Sequence, residues 1–254
     1  MNNLRFYYAA FLLFAAAIFT TSCSDDDDTV YYTEMGTVTA LAQDNNSLAT
    51  IDGDDYGVSH VINGNILKAF NADSVGQRVI YSYTFENDNS RSTVQKNNDI
   101  KVFNIKSVLT KKMDTFNSET QQDDFGSDEI EINKIFLSKA HLNILFLIKG
   151  FSLSIPHRIS LVCKEGAEPD GNGNLEVEFR HNSNSDKPLD LKAGYVSYTL
   201  ESIPGYNDGT LKKLTIVSKS FDSSSRKIEI KINDNANGTS KVLKASTTLQ
   251  PVVF

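Results

Sequence analysis

The chain has 254 residues, of which 40% are hydrophobic and 22% charged, and its formal net charge is −7. This composition is typical of a globular protein of one or two domains rather than a disordered chain. With only 2 Cys and 4 His, the sequence excludes a disulfide scaffold and a zinc cluster. With 25 basic side chains against 32 acidic ones, it also excludes a polybasic nucleic-acid binder.

The first residues indicate secretion. Arg5 is the only charge before an apolar run from Phe6 to Phe19. That run is shorter than the roughly 20 residues that a helix needs to span a bilayer. A basic start, a short apolar run and an exit of small residues predict a signal peptide over residues 1–22.

The end of this run carries the predicted anchor. Thr20-Thr21-Ser22-Cys23 resembles a bacterial lipobox, where a peptidase cuts before a Cys that becomes acylated. The resemblance implies a lipid-modified Cys23, and two or three acyl chains, such as palmitate, would hold the protein on a membrane without a transmembrane segment. Ordinary secretion, with cleavage nearby, is the alternative.

A short acidic tether is predicted over residues 23–33, because adjacent carboxylates repel one another and stay solvated. Its Ser24 and acidic run resemble the lipoprotein export signal of Bacteroides-type bacteria; the acidic residues are Asp25, Asp26, Asp27 and Asp28. The resemblance implies the outer membrane, with the protein facing the cell surface, and a plain spacer is the alternative. Thr29 and Ser74, each between Asp and Val, resemble the short O-glycosylation motif of the same bacteria.

Period-two patterns dominate the body and predict an all-β fold. Apolar residues alternate with polar ones over residues 79–85, 175–180 and 228–232, as in strands with one buried face. The run from Leu142 to Ile148 is apolar on both faces and predicts a central strand. Turn sequences such as Asp52-Gly53 and Asn207-Asp208-Gly209 separate the strands.

A polar stretch from Asn117 to Asp124 suggests a seam between two domains. Residues 34–111 have about five strands, enough for a small OB-like barrel. Residues 112–254 have seven or eight, which suits an antiparallel, immunoglobulin-like β-sandwich.

Motifs for catalysis and for cofactor or metal binding are missing from the sequence. The four histidines, His60, His141, His157 and His181, are scattered and are interpreted as structural. Asp170-Gly171-Asn172-Gly173 is interpreted as a hairpin turn, because the residues that complete a calcium loop do not follow it. Cys163 is expected to be a small buried side chain. We therefore expect no cofactor, no metal and no enzymatic activity.

Short motifs along most of the chain resemble the NigD-like lipoproteins. The resemblance is carried by Met35-Gly36-Thr37-Val38-Thr39-Ala40, Asp52-Gly53-Asp54, Gly76-Gln77-Arg78-Val79 with Tyr81-Ser82-Tyr83, residues 104–111 and residues 195–200. It implies an OB-like barrel followed by a β-sandwich, and it makes an immunity-like role an expectation.

Three functions stay open, with the ligand unknown. The first is a surface-anchored lipoprotein that binds a protein partner in the envelope and exposes an apolar patch on its sandwich. The second is a glycan-binding accessory lipoprotein, which needs exposed tyrosines among Tyr31, Tyr32, Tyr56 and Tyr206. The third is a hydrolase, which needs two carboxylates in a cleft, from among Glu165, Glu168 and Asp170. Nucleic acid is not expected as a partner, because residues 34–110 have a net charge of −3, with 6 basic and 9 acidic side chains.

Overall fold

The computed structural model describes residues 30–42, 48–86, 98–232 and 243–244. Contacts divide the chain between Tyr31 and Tyr32, and the architecture below belongs to the unit that begins at Tyr32. The predicted lipid anchor Cys23, the acidic run from Ser24 to Asp28 and the candidate glycosylation site Thr29 lie outside the described residues. None of the helices in the described ranges is long and apolar enough to cross a bilayer.

Five strands close into a barrel in the order β1-β2-β3-β5-β4, which confirms the OB-like prediction. The strands are β1 (Tyr32–Ala40), β2 (Ala49–Gly53), β3 (Gly57–Val61), β4 (Arg78–Phe85) and β5 (Asn98–Ser107), and helix α1 (Asn65–Ala69) lies between β3 and β4. The predicted alternation on β4 puts Val79, Tyr81 and Tyr83 into the barrel core, because one face of a closed sheet is shielded from water.

The second half is a sandwich of two five-stranded sheets, ordered β14-β13-β11-β10-β7 and β15-β8-β9-β12-β6. Its elements are β6 (Leu109–Lys111), β7 (Asp114–Phe116), α2 (Glu119–Asp123), β8 (Glu131–Ser138), β9 (His141–Gly150), β10 (Arg158–Lys164), β11 (Asn174–Asn182), β12 (Asp190–Thr199), β13 (Lys213–Lys219), β14 (Ser225–Lys231) and β15 (Leu243–Lys244). A short 3₁₀ helix (Leu200–Ser202) follows β12.

The all-β class is confirmed, but the sandwich is not antiparallel throughout. Strands β7 and β10, β11 and β13, and β6 and β12 pair in parallel. Alternation in a sequence reports which face is buried, not the direction of the neighbouring strand, so the pattern could not separate the two arrangements. Strand β6 pairs within the sandwich although it lies on the barrel side of the predicted boundary between residues 111 and 112.

Strand β9 lies at the centre of its sheet, as predicted, and nearly every one of its residues is buried. Cys163 is buried in the sandwich core with Ile159 and Leu161, as predicted for a small buried side chain. Burial raises the pKa of the Cys163 thiol, which keeps it protonated and poorly nucleophilic.

Candidate functional site

Most of the predicted site residues that the structure describes lie apart from one another and do not form a common site. Ser74 is exposed in the turn before β4, so its hydroxyl is accessible for the predicted glycosylation. Glu165, Glu168 and Asp170 are exposed in the open loop between β10 and β11, so they do not form the cleft that the hydrolase hypothesis requires. Asp170 instead accepts hydrogen bonds from the backbone of its own turn, as the hairpin interpretation expected.

Two of the four candidate tyrosines meet at the barrel. The rings of Tyr32 and Tyr56 contact edge to face at 5.3 Å between centroids. Tyr56 is 46% exposed. Tyr206, by contrast, packs against the sandwich core.

One end of the sandwich presents four large apolar side chains to solvent, which we call the tip patch. Its members are Phe151 (58% exposed), Leu153 (89%), Leu189 (65%) and Leu191 (46%). The register of β9 and β12 pairs Gly150 with Asp190, so Phe151 and Leu189 leave the sheet at the same end. Clustered exposed apolar side chains mark interaction sites more often than scattered ones do.

Three of the four side chains of the tip patch lie on two loops that a single carboxylate joins, and Leu191 follows in β12. These tip loops are residues 151–157, between β9 and β10, and residues 183–189, between β11 and β12. Asp186 accepts hydrogen bonds from the amides of Phe151 (2.7 Å), Ser152 (3.1 Å) and Lys187 (2.9 Å). Burial opposes ionisation, but these amides and the ring of His157 hold the pKa of Asp186 well below its usual range.

Two histidines extend this network into the sandwich. His157 Nε2 lies 3.1 Å from Asp186 Oδ2, and His157 Nδ1 lies 2.9 Å from His181 Nε2. His181 Nδ1 in turn lies 3.0 Å from the backbone oxygen of Glu129. Gly150 is needed beside them, because a Cβ there would come within 2.7 Å of the His157 ring.

Sequence reasoning missed this group. His157 and His181 are 24 positions apart and come from different elements, so no local spacing joins them. Only the antiparallel register of β10 and β11, which pairs Ile159 with His181, brings the two rings together.

The tip is locally basic in an acidic protein. Residues 149–158 and 183–192 hold four basic side chains, Lys149, Arg158, Lys187 and Lys192, against two carboxylates, Asp186 and Asp190. The Asp186 carboxylate is buried within the network described above. Within these two segments the exposed charges are therefore mainly positive, and Lys149 pairs with Glu129 of the neighbouring segment.

The barrel is attached to the opposite end of the sandwich. Arg78 of β4 forms a two-pronged ion pair with Asp54 (2.8 and 2.6 Å) and donates to Ser138 Oγ (2.9 Å), next to the β8–β9 turn. His141 begins β9 there, and burial together with the charge of Arg78 lowers the pKa of His141 to about 4. Since β9 has 10 residues and a strand rises about 3.3 Å per residue, the tip patch lies about 30 Å from this junction.

The β8–β9 turn also occupies part of the outer barrel surface. Lys139 of that turn forms an ion pair with Asp52, on the outward face of β2. Strands 2 and 3 form the face with which OB folds bind oligonucleotides. Sandwich residues therefore lie over part of it in this protein.

A shallow polar depression of about 180 Å³ lies beside β11 and β13. The charged groups that line it already have partners: Arg180 pairs with Glu178 at 2.6 Å, and Lys219 donates to the backbone oxygen of Ser127. Within the described ranges, no group of three or more His, Cys, Asp or Glu side chains is placed to hold a metal ion.

Comparison with known proteins agrees with the fold. Residues 112–232 match the model of the NigD-like C-terminal beta sandwich domain, which confirms the predicted resemblance over that part of the chain. No curated protein is similar enough to count as a match.

Several solved structures share the fold at low sequence identity. A protein of unknown function from Bacteroides vulgatus ATCC 8482 is 18% identical, with a TM-score of 0.64 over 83% of this chain and 94% of its own. A NigD-like immunity protein from Bacteroides caccae ATCC 43185 is 20% identical, with a TM-score of 0.55 over 85% and 99%. A candidate lipoprotein from Bacteroides fragilis NCTC 9343 is 11% identical, with a TM-score of 0.57 over 80% and 98%.

Proposed function

We propose that this protein is a non-catalytic, surface-anchored envelope lipoprotein that binds another protein through the tip patch. The observation that carries the proposal is the exposure of Phe151, Leu153, Leu189 and Leu191 on two loops that Asp186 joins and on the adjoining start of β12. A rigid apolar surface binds with little loss of conformational entropy, so it suits a contact surface better than mobile loops would. One of the fold neighbours is named a NigD-like immunity protein, and a non-catalytic binding role is compatible with that name.

The charges around the tip patch indicate the chemistry of the partner. Arg158 and Lys187 are exposed beside the apolar side chains. Complementary charge raises association rates and suppresses wrong partners. We therefore expect a partner protein whose apolar centre is flanked by carboxylates.

Lipidation of Cys23 would place this surface at the outer membrane. We expect mass spectrometry of the mature protein from its own cells to show an amino-terminal Cys23 bearing acyl chains. Protease added to intact cells should then remove the sandwich if the acidic run directs export to the cell surface. A lipid-free chain that begins elsewhere would contradict the anchor, and protection from protease would contradict surface exposure.

The binding role is tested with two matched double variants in the full-length lipoprotein. Phe151→Ser with Leu153→Ser removes the two tip-patch side chains of the first tip loop, and Phe70→Ser with Val75→Ser removes barrel side chains that are 49% and 65% exposed. After crosslinking on intact cells, we expect the first variant to lose its captured protein, since exposed apolar anchors dominate such interfaces. The barrel variant should retain it. Equal capture by both variants would overturn the proposal.

A glycan-binding accessory lipoprotein is the second candidate function. It is favoured by the contact between Tyr32 and the half-exposed Tyr56, because sugars stack on exposed aromatic rings. Retention of the protein on a glycan array would favour this function over protein binding.

A further inference from the structure

The hydrogen bonds between Asp186, His157, His181 and Glu129 fix how many protons the two imidazoles carry. A backbone carbonyl can only accept, so His181 Nδ1 must donate to the Glu129 oxygen. An ionised carboxylate can also only accept, so His157 Nε2 must donate to Asp186. These two bonds require one N–H on each ring.

The contact between the rings requires a third proton. His157 Nδ1 and His181 Nε2 are 2.9 Å apart, which is hydrogen-bond distance. Two unprotonated nitrogens would present opposed lone pairs there, and two N–H groups would collide. One nitrogen must therefore donate and the other must accept.

We propose that His157 and His181 share three protons at neutral pH and thus carry one buried positive charge, and that this charge state holds the tip loops in their binding conformation. The second half of this inference rests on the proposed function of the tip patch. The hydrogen bonds of the pair fit neither fewer nor more than three protons. Loss of the shared proton breaks the bond between the rings, and a fourth proton forces them apart.

The charged groups around the pair favour a single positive charge. Asp186 faces His157 from the second tip loop, and Asp128 faces His181 from the segment before β8. The Glu129 carboxylate lies 3.4 Å from Lys149, so only its backbone oxygen meets the pair. Arg158, next to His157, lies over the Phe125 ring at 4.2 Å.

The site therefore pairs one buried carboxylate, that of Asp186, with the one positive charge of the two imidazole rings. Burial lowers the pKa of His181, which favours the neutral form of that ring and leaves the shared charge on His157, beside Asp186. Since the two rings are directly bonded, their protonation steps belong to the pair rather than to either residue.

The consequence for the tip patch follows from where the bonds lie. The first tip loop contains His157 and contributes the amides of Phe151 and Ser152, and the second contains Asp186. If the ring pair opens, His157 is no longer held between His181 and Asp186, and the first tip loop loses one of its two attachments, the other being the amide bonds to Asp186. Binding of an acidic partner should therefore peak in a pH range and weaken on both sides of it.

The proton count is tested on the protein without any partner. Long-range ¹H–¹⁵N spectra of residues 30–254 at pH 7 should show three protonated nitrogens among the four of His157 and His181. One protonated nitrogen on each ring, or two on both, would overturn the proposal. This measurement does not depend on whether the tip patch binds anything.

The link to the loops is tested by hydrogen exchange between pH 5 and 9. Protection of the Phe151 and Ser152 amides should fall by about tenfold, the scale of one lost hydrogen bond, when the ring signals report a change in proton number. If protection stays constant through that titration, the claim that the proton number controls the tip loops is wrong.

Partner capture then separates the two proposals. In the natural protein, the amount of captured partner should vary with pH in the same way as the ring signals and the amide protection. His157→Gln keeps an amide donor but cannot titrate, so its capture should not vary with pH in this way. The control His60→Gln changes an exposed barrel histidine that lies 3.2 Å from Asp99 and should leave the profile intact. If no protein is captured at any pH, the proposed function fails, while the spectra and the exchange data still decide the proton count.

Discussion

Replacement of Arg78 by Met should destabilise the protein by about 3–5 kcal/mol, because it leaves the buried Asp54 carboxylate without its partner. The Arg78 side chain is fully buried, and the Asp54 side chain is 7% exposed. Arg78 also donates to Thr37 and Ser138, so two hydroxyls lose a donor with it. Urea unfolding of residues 30–254 measures the loss as a lower midpoint at an unchanged slope.

Two further variants test whether the unpaired charge causes this loss. Arg226→Met removes an arginine that is about half exposed and lies 3.3 Å from Asp222, so it should cost about 0–1 kcal/mol. Arg78→Met combined with Asp54→Leu removes both charges and should recover much of the stability, as replacing other buried ion pairs has done. If Arg78→Met behaved like Arg226→Met, the junction pair would not support the fold.

The junction illustrates what the sequence could predict. Gly76-Gln77-Arg78-Val79 was a feature of the family resemblance, and the alternation that follows Arg78 correctly predicted which side chains of β4 enter the barrel core. The partners of Arg78 could not be predicted. Asp54 lies in a turn 24 positions earlier, and Ser138 belongs to the other half of the chain.

The dependence on long-range contacts also explains why the tip patch could not be predicted. Period-two patterns are local, so they predicted an all-β fold and the central position of β9. Phe151, Leu153, Leu189 and Leu191 also alternate with polar residues, so the pattern could not reveal that these side chains are exposed to solvent. Their proximity depends on the register of β9 and β12, which is a long-range property.

Glu34 is the second position where we expect a large effect. This carboxylate is buried inside the barrel and accepts hydrogen bonds from Tyr81 (2.9 Å) and Tyr83 (2.8 Å). It also accepts from the amides of Asp55 (2.7 Å) and Tyr56 (3.3 Å), so it fixes the β2–β3 turn to the barrel interior. A Cβ at Gly53 would come within 2.5 Å of Glu34 Oε1, so the turn and the carboxylate are closely fitted.

Replacement of Glu34 by Ala should cost about 2–4 kcal/mol, because it leaves buried donors without an acceptor. Glu34→Gln keeps one carbonyl oxygen, and the tyrosine hydroxyls can accept from its amide, so it should cost about 1 kcal/mol or less. The measurement is again urea unfolding. A Glu34→Ala midpoint equal to that of the natural protein would show that the barrel does not need this acceptor.

The pH dependence of stability separates the charge of Glu34 from its hydrogen bonds. Burial raises the pKa of Glu34 above its usual value, although its hydrogen bonds act in the opposite direction. The folded protein therefore holds this proton at a higher pH than the unfolded chain does, and this group's contribution to stability falls as the pH rises through the folded pKa. In Glu34→Gln that contribution is absent. The difference in free energy of unfolding between the natural protein and Glu34→Gln should thus shift in favour of the natural protein as the pH is lowered from 7 towards 4.5. A difference that stays constant over this range would mean that the carboxylate is as well solvated in the barrel as in the unfolded chain.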